Sequence, residues 1–284
     1  MIELQNARHR VNVDPQGGRI KSWQGNSQAG ALSVLNNDEG SMGCFVMVPF
    51  ASRLKDGLFV WNGQEIVLSA NVEGERYPIH GWGWQADWRV ISKHEAGCTL
   101  GWDHNEVNSS LSGWPWAFSA TLELKLLELG LQVELDIVNR SDATMPAGLG
   151  IHPYFRKTPK SSIVVDVERR WHLDAYGMPI INEPQFFDGF ADPQALAGLS
   201  MDDAFSGWDG QAEIHWPEWS TKLVMTANTQ HLVVYAPPGQ NYVCLEPVTN
   251  IPNAFNLPRG PFHTLAPGER HKLTVRMGLL NLSQ

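Results

Sequence analysis

Hydrophobic and polar residues alternate with a period of two along the most regular stretch of the chain. Phe118, Ala120, Leu122, Leu124 and Leu126 interleave with Ser119, Thr121, Glu123 and Lys125. After Glu128-Leu129-Gly130 the alternation returns as Leu131, Val133, Leu135 and Ile137 against Gln132, Glu134 and Asp136. Successive side chains of a strand point to opposite faces, so the pattern predicts a long antiparallel hairpin with one buried and one wet face. Shorter runs at 163–167, 232–235, 242–245 and 273–277 are divided by clusters of Gly, Pro, Asn and Asp, as strands are. The fold class that follows is all-β: a large antiparallel β-sandwich with few short helices. The best helical signal is Asp192-Pro193-Gln194-Ala195-Leu196-Ala197, where an N-cap aspartate precedes a proline at the first helical position. No repeat of fixed period, heptad or linker composition interrupts the chain, so residues 1–284 are expected to form a single sandwich domain with its site on one face.

Composition narrows the partners. The formal net charge of −9 argues against nucleic acid and against an anionic membrane surface, both of which need a basic patch to displace counterions. It leaves room for a small anion, because one or two arginines in a cleft overrule the average field locally. No apolar run approaches the length of a membrane span, and Met1-Ile2-Glu3-Leu4-Gln5 lacks the start of a signal peptide, so a cytoplasmic protein is expected. Cys44, Cys98 and Cys244 are odd in number and set among apolar neighbours, which reads as buried thiols rather than a disulfide framework or a zinc site. The assembly is expected to be a monomer or homodimer.

Two polar constellations far apart in sequence carry the candidate chemistry. In Gly150-Ile151-His152-Pro153-Tyr154-Phe155 and in Leu245-Glu246-Pro247-Val248-Thr249-Asn250, a proton-transferring side chain stands at the end of an apolar run and before a proline. Proline has no ladder donor, so regular pairing is expected to stop there. A histidine and a carboxylate held in this way can serve as acid and base. Three further polar candidates are Arg53, His80 and Asp202. Together with Trp82 and Trp84 they suit a polyol, whose hydroxyls meet charged groups while indole faces pack against its C–H surface.

Each candidate has an ordinary alternative. His152 and His80 can be structural histidines bonded to backbone, and Glu246 can belong to a buried ion pair, with Arg53 as one partner. Asp202 can cap a turn, with Asp203 in its place at the site, and Arg53 can be a surface charge. Trp82 and Trp84, two apart, point to the same side if their segment is a strand, so core packing competes with sugar stacking. The other histidines lack metal-ligand spacings.

The chain resembles the aldose 1-epimerase (mutarotase) family, which interconverts the α and β anomers of free sugars. The resemblance lies in the segment holding Arg53, in His80-Gly81-Trp82-Gly83-Trp84, in His152-Pro153-Tyr154-Phe155, in Asp202-Asp203-Ala204-Phe205-Ser206-Gly207-Trp208, and in Glu246-Pro247-Val248-Thr249 with Asn253-Ala254-Phe255-Asn256. These blocks follow the family's order from about residue 40 onward. The resemblance implies a galactose mutarotase-like β-supersandwich that works without metal or other cofactor. It assigns Glu246 as the base at the anomeric hydroxyl, His152 as the acid at the ring oxygen, and His80, Arg53 and Asp202 as substrate-binding groups. Ser52 stands where family members often carry Asn, and Asn250 where a His is common; both departures are expected to bear on hydroxyl recognition.

Three rivals accompany this reading. The first is the same epimerisation on a phosphorylated or sulfonated sugar, with Arg76, Lys55 or Arg89 holding the anion. The second is a sugar-binding module without catalysis. The third is a glycoside hydrolase using Asp202 with Glu246 as its carboxylate pair.

Overall fold

A computed structural model of the chain describes residues 1–27, 29–36 and 42–283. Two large antiparallel sheets dominate it, one of eleven strands and one of nine. The predicted hairpin lies inside the nine-stranded sheet. Phe118–Leu126 and Gly130–Asn139 pair from Phe118 opposite Asn139 to Leu126 opposite Leu131. Their apolar set is buried as the alternation requires. The other face is less wet than the pattern suggests, because Asp136 is largely buried beside Arg270 of the neighbouring strand, 3.3 Å away.

In the eleven-stranded sheet Cys44–Met47, Gly150–Arg156, Tyr242–Val248, His231–Ala236 and Met201–Ser206 are consecutive neighbours. Every residue from Gly150 to Phe155 and from Tyr242 to Val248 is buried. The alternate residues Ile151 and Leu245 join a contiguous apolar core that also holds Leu122, Leu135 and Leu273 of the other sheet. His152 and Glu246, one residue on, therefore face the opposite side, where loops cover the sheet. Cys44, Cys98 and Cys244 are buried free thiols.

Two local expectations are corrected. Asp192 and Pro193 lie not in a helix but in the strand Phe190–Ala195, which pairs with Ser162–Val165 at the edge of the nine-stranded sheet. An edge strand tolerates proline, and the fully buried Leu196 anchors the segment against the capping preference. The α-helix among the described residues is Glu106–Ser112. Its start is marked by reciprocal bonds in which the Asn105 and Asn108 amides each donate to the other's side-chain oxygen, at 3.1 and 3.3 Å. The prolines after His152 and Glu246 do not end their strands, which run on to Arg156 and Val248. No helix among the described residues is long and apolar enough to cross a membrane.

Candidate active site

The two proton carriers meet because their strands are neighbours. Gly150 pairs with Val248, and pairing resumes at Tyr154 with Cys244, so His152 stands opposite Glu246. Pro153 and Pro247 fall inside this interval. Each removes an amide from the ladder while the backbone stays extended, so the prolines interrupt the pairing rather than terminate it. His152 Nε2 and Glu246 Oε1 are 3.1 Å apart, with side chains only 7% and 3% exposed. Phe45, opposite His152 on the next strand, stacks on the imidazole at 4.6 Å, and Tyr154 stacks on it at 4.8 Å. Phe45, His152 and Glu246 thus form a row across three strands that fixes the ring plane.

Arg53 and His80 reach the same place from two laced loops. The His80 amide donates to the Ser52 carbonyl at 2.9 Å, and the Ser52 amide donates to His80 Nδ1 at 3.1 Å. The second bond fixes the tautomer: Nδ1 accepts, so the proton of the neutral ring is on Nε2. Asn71 accepts from the Ile79 amide and donates to the Ile79 and Gly81 carbonyls, holding the turn. Gly81, at φ +63°, lies so near Val48 that a Cβ would come within 2.2 Å of the Val48 carbonyl oxygen, leaving room for glycine alone. The imidazole of His80 then sits edge-on to that of His152, centroids 5.3 Å apart.

All five sequence-predicted residues line one cavity of about 260 Å³, a size suited to one small ring. The alternatives resolve in space. Arg53 is paired with Glu75, not Glu246, through Nε at 3.2 Å and Nη2 at 3.1 Å. Asp202 lies within a strand opposite Tyr235 and opens to the cavity, whereas Asp203 is buried and bonded to Arg170. Trp82 and Trp84 do not share a side, because Gly83–Gln85 is a 3₁₀ turn rather than a strand. Trp84 lines the cavity against Phe45, while Trp82 packs on Phe50 and faces a different cleft. Of the two departures from the family pattern, Ser52 holds His80. Asn250 clamps Ala51 by accepting from its amide at 2.8 Å and donating to its carbonyl at 2.9 Å, away from the cavity.

Burial governs the protonation of the pair. It pushes His152 down to about 3, with Arg53 adding to the effect and the histidine's own backbone opposing it. The Glu246 carboxyl is pushed well up, first by burial and then by Asp202, with Arg53 opposing. Both shifts favour the uncharged forms, in which a Glu246 hydroxyl can donate to an accepting Nε2. His152 Nδ1 is buried and, among the described residues, has no hydrogen-bond partner beyond its own backbone, in keeping with a proton there. His80 is held well below its ordinary value by burial, then by His152 and Arg53. Asp202 is raised by burial, with Arg53 opposing and Asp203 and Glu75 adding.

Cys244 brings a third donor atom, so that His152, Cys244 and Glu246 gather within 4.8 Å. The set fits a metal poorly: burial and the Glu246 carboxyl push the thiol well up, and Nε2 and Oε1 already engage each other.

The aldose 1-epimerase family profile matches residues 1–278. The chain belongs to that family. This aldose 1-epimerase family member is 29% identical over 277 residues to the uncharacterized protein YphB of Escherichia coli K12, covering 92% of each chain. A crystal structure of an Escherichia coli K12 protein, 25% identical, superposes with a TM-score of 0.87 over 99% of this chain and 98% of that one. A galactose mutarotase-like protein of Clostridium acetobutylicum, 19% identical, gives a TM-score of 0.85 over 98% and 94% and shares the fold. In this family member, sequence reasoning missed Glu75, Phe45 and Tyr154. Tyr154 had a usable signal, since it stands two residues after His152 and shares its face of a strand, whereas Phe45 meets the histidine only through the register. Glu75 lies in the loop sequence Gly74-Glu75-Arg76 and gave none.

Proposed function

We propose that the protein is a mutarotase, opening and reclosing the ring of a free monosaccharide through the His152–Glu246 pair. The observation that carries this reading is the 3.1 Å contact between the two groups at the wall of a cavity that Arg53, His80 and Asp202 also line, among apolar and aromatic side chains. The anomeric hydroxyl and the ring oxygen of a cyclic sugar are bonded to the same carbon. An acid and a base serving both oxygens must therefore be close neighbours, which supports the role of this pair.

The proton ledger is balanced within the pair. Transfer across the 3.1 Å contact turns the neutral resting pair into carboxylate and imidazolium. Glu246 then takes the proton of the anomeric hydroxyl, whose O–H electrons become the second bond of the C1 carbonyl. The C1 bond to the ring oxygen breaks, and that oxygen keeps the bonding electrons and takes the proton from His152 Nε2. The pair returns to its neutral form beside an open-chain aldehyde. Rotation about the C1–C2 bond followed by the reverse transfers yields the other anomer. The pair passes through its charged form once on opening and once on reclosure and ends neutral each time, so no proton is exchanged with solvent. An acid and a base each worth roughly 10²–10⁴-fold suffice for a ring opening that water performs unaided.

His80, with its Nε2–H free to donate, Arg53 and Asp202 act as hydroxyl partners in this reading. A binding module has no use for an acid and a base in contact, which favours catalysis over that rival. The test is NMR exchange between anomers of neutral hexoses and pentoses. Exchange faster than buffer for at least one sugar is expected. Buffer rates across the panel, with sugar resonances broadened by binding, would turn the reading into a sugar-binding module.

A further inference from the structure

The charge of the cavity is independent of the proton chemistry and bears on which sugars enter. Among the described residues lining it, Arg53 is the one cation, against the carboxyls of Glu75, Asp202 and Glu246. The three basic residues that the sequence offered as an anion site stand elsewhere. Lys55 and Arg76 do not line the cavity. The Arg76 guanidinium lies over the rings of Tyr77 and Tyr176, at 5.3 and 4.7 Å. Arg89 is exposed beside Asp103 at 3.3 Å.

Arg53 itself arrives already neutralised. Glu75 grips one edge of the guanidinium with both oxygens, the side-on geometry in which a planar fork is most firmly held. Its remaining nitrogen, Nη1, points toward Gly177, where a Cβ would come within 2.9 Å. That edge can still donate to a hydroxyl, but the charge is balanced. Among the described residues no cation stands within ion-pair distance of Asp202, which faces the same space. With the catalytic pair neutral overall, the cavity is left with an excess of one carboxylate.

We propose that Glu75 sets the charge class of the substrate: by clamping Arg53 it bars sugars that carry a phosphate or sulfonate and keeps the site for sugars without an anionic group. This inference rests on the mutarotase reading and adds to it a residue that decides selectivity. Glu75 acts through Arg53 and touches no reacting atom, so it is a specificity residue and not a catalytic one.

The test compares glucose with glucose 6-phosphate at low and high salt, in the wild-type protein, in Glu75→Gln and in Glu75→Asp. For the wild type, kcat/KM for the phosphate ester is expected at least about tenfold below that for glucose, and the gap should narrow as salt screens the repulsion. In Glu75→Gln the ratio of the two should shift toward the ester by about tenfold or more, mainly through KM, while Glu75→Asp keeps the wild-type ratio. Inorganic phosphate titrated calorimetrically should bind Glu75→Gln and not the wild type. A wild type that handles both sugars equally, or a ratio unmoved in Glu75→Gln, would overturn the proposal. If Glu75→Gln fails to fold, the salt dependence of the wild-type ratio decides alone. If no sugar is exchanged at all, the mutarotase reading falls, and phosphate binding by the two proteins still tests the clamp.

Discussion

The hairpin Phe118–Leu126 with Gly130–Asn139 and the pair Gly150–Arg156 with Tyr242–Val248 are both antiparallel, and they use their two faces differently. The hairpin turns one face to the core and the other partly toward solvent. The central pair is covered on both sides, by the second sheet and by loops. Covering the second face is what makes chemistry possible there. It removes water from His152 and Glu246, shifts both toward their neutral forms and lets one proton be shared. It also carries a cost in stability, since two ionisable groups are held where neither is solvated.

The sharpest way to break this contrast is to remove the shared proton. His152→Asn and Glu246→Gln are each expected to lower turnover by roughly 10²–10⁴-fold, measured by anomer exchange NMR. Glu246→Gln should at the same time hold or raise the melting temperature, because it discards a buried acid and keeps the shape. A variant with near-wild-type exchange, or one that unfolds, would show that the two carriers are ordinary core residues. In the hairpin the reverse is expected. Leu122→Ala, at a fully buried site, should cost about 2–5 kcal/mol in chemical denaturation while each folded molecule keeps its turnover. Glu123→Gln on the exposed face should stay within about 0.5 kcal/mol.

The smallest effect extends the contrast to pH. Seven histidines, at positions 9, 80, 104, 152, 231, 263 and 271, are lowered chiefly by burial. His104, His231 and His271 fall to about 4. Such groups are neutral when folded and protonated when unfolded between those values and 6.5. Their contribution to stability is therefore full above about 6.5 and is lost as pH falls through that window. Asp136, Asp202 and Glu246 are raised and work in the opposite sense, losing stability as pH rises through their folded values. With seven groups against three, the melting temperature is expected to drop by a few degrees between pH 7 and pH 5. A flat or rising curve in thermal unfolding would mean that the three raised acids outweigh the histidines.

The same contrast explains what could be read from the chain. The hairpin was legible because one wet face imprints a two-residue alternation. The central strands, apolar and buried on both sides, gave short runs in which the meeting of residues 152 and 246 left no periodic trace. Their residue types and ordered blocks pointed to the site, and only the register brought them into contact. The prolines after them suggested an ending, whereas a proline inside a ladder can also open a local gap in it. The helix expected at Asp192 failed because edge pairing and the burial of Leu196 outweighed a local cap. Trp82 and Trp84 would share a side only if their segment were a strand, and a 3₁₀ turn does not meet that condition. Glu75 had no motif around it, and its role exists only through the reach of Arg53.

The lacing of Ser52 to His80 holds the loop part of the site together, and the clamp of Asn250 on Ala51 ties that part to the end of the Glu246 strand. The proton pair is carried by the rigid middle of a sheet, while Arg53, Glu75 and His80 hang from connections outside it. On the mutarotase reading, exchanging those connections would retune which sugar is bound without disturbing the His152–Glu246 pair. Directed evolution toward new aldoses should accordingly find its useful substitutions between residues 52 and 84 and leave the central strands untouched.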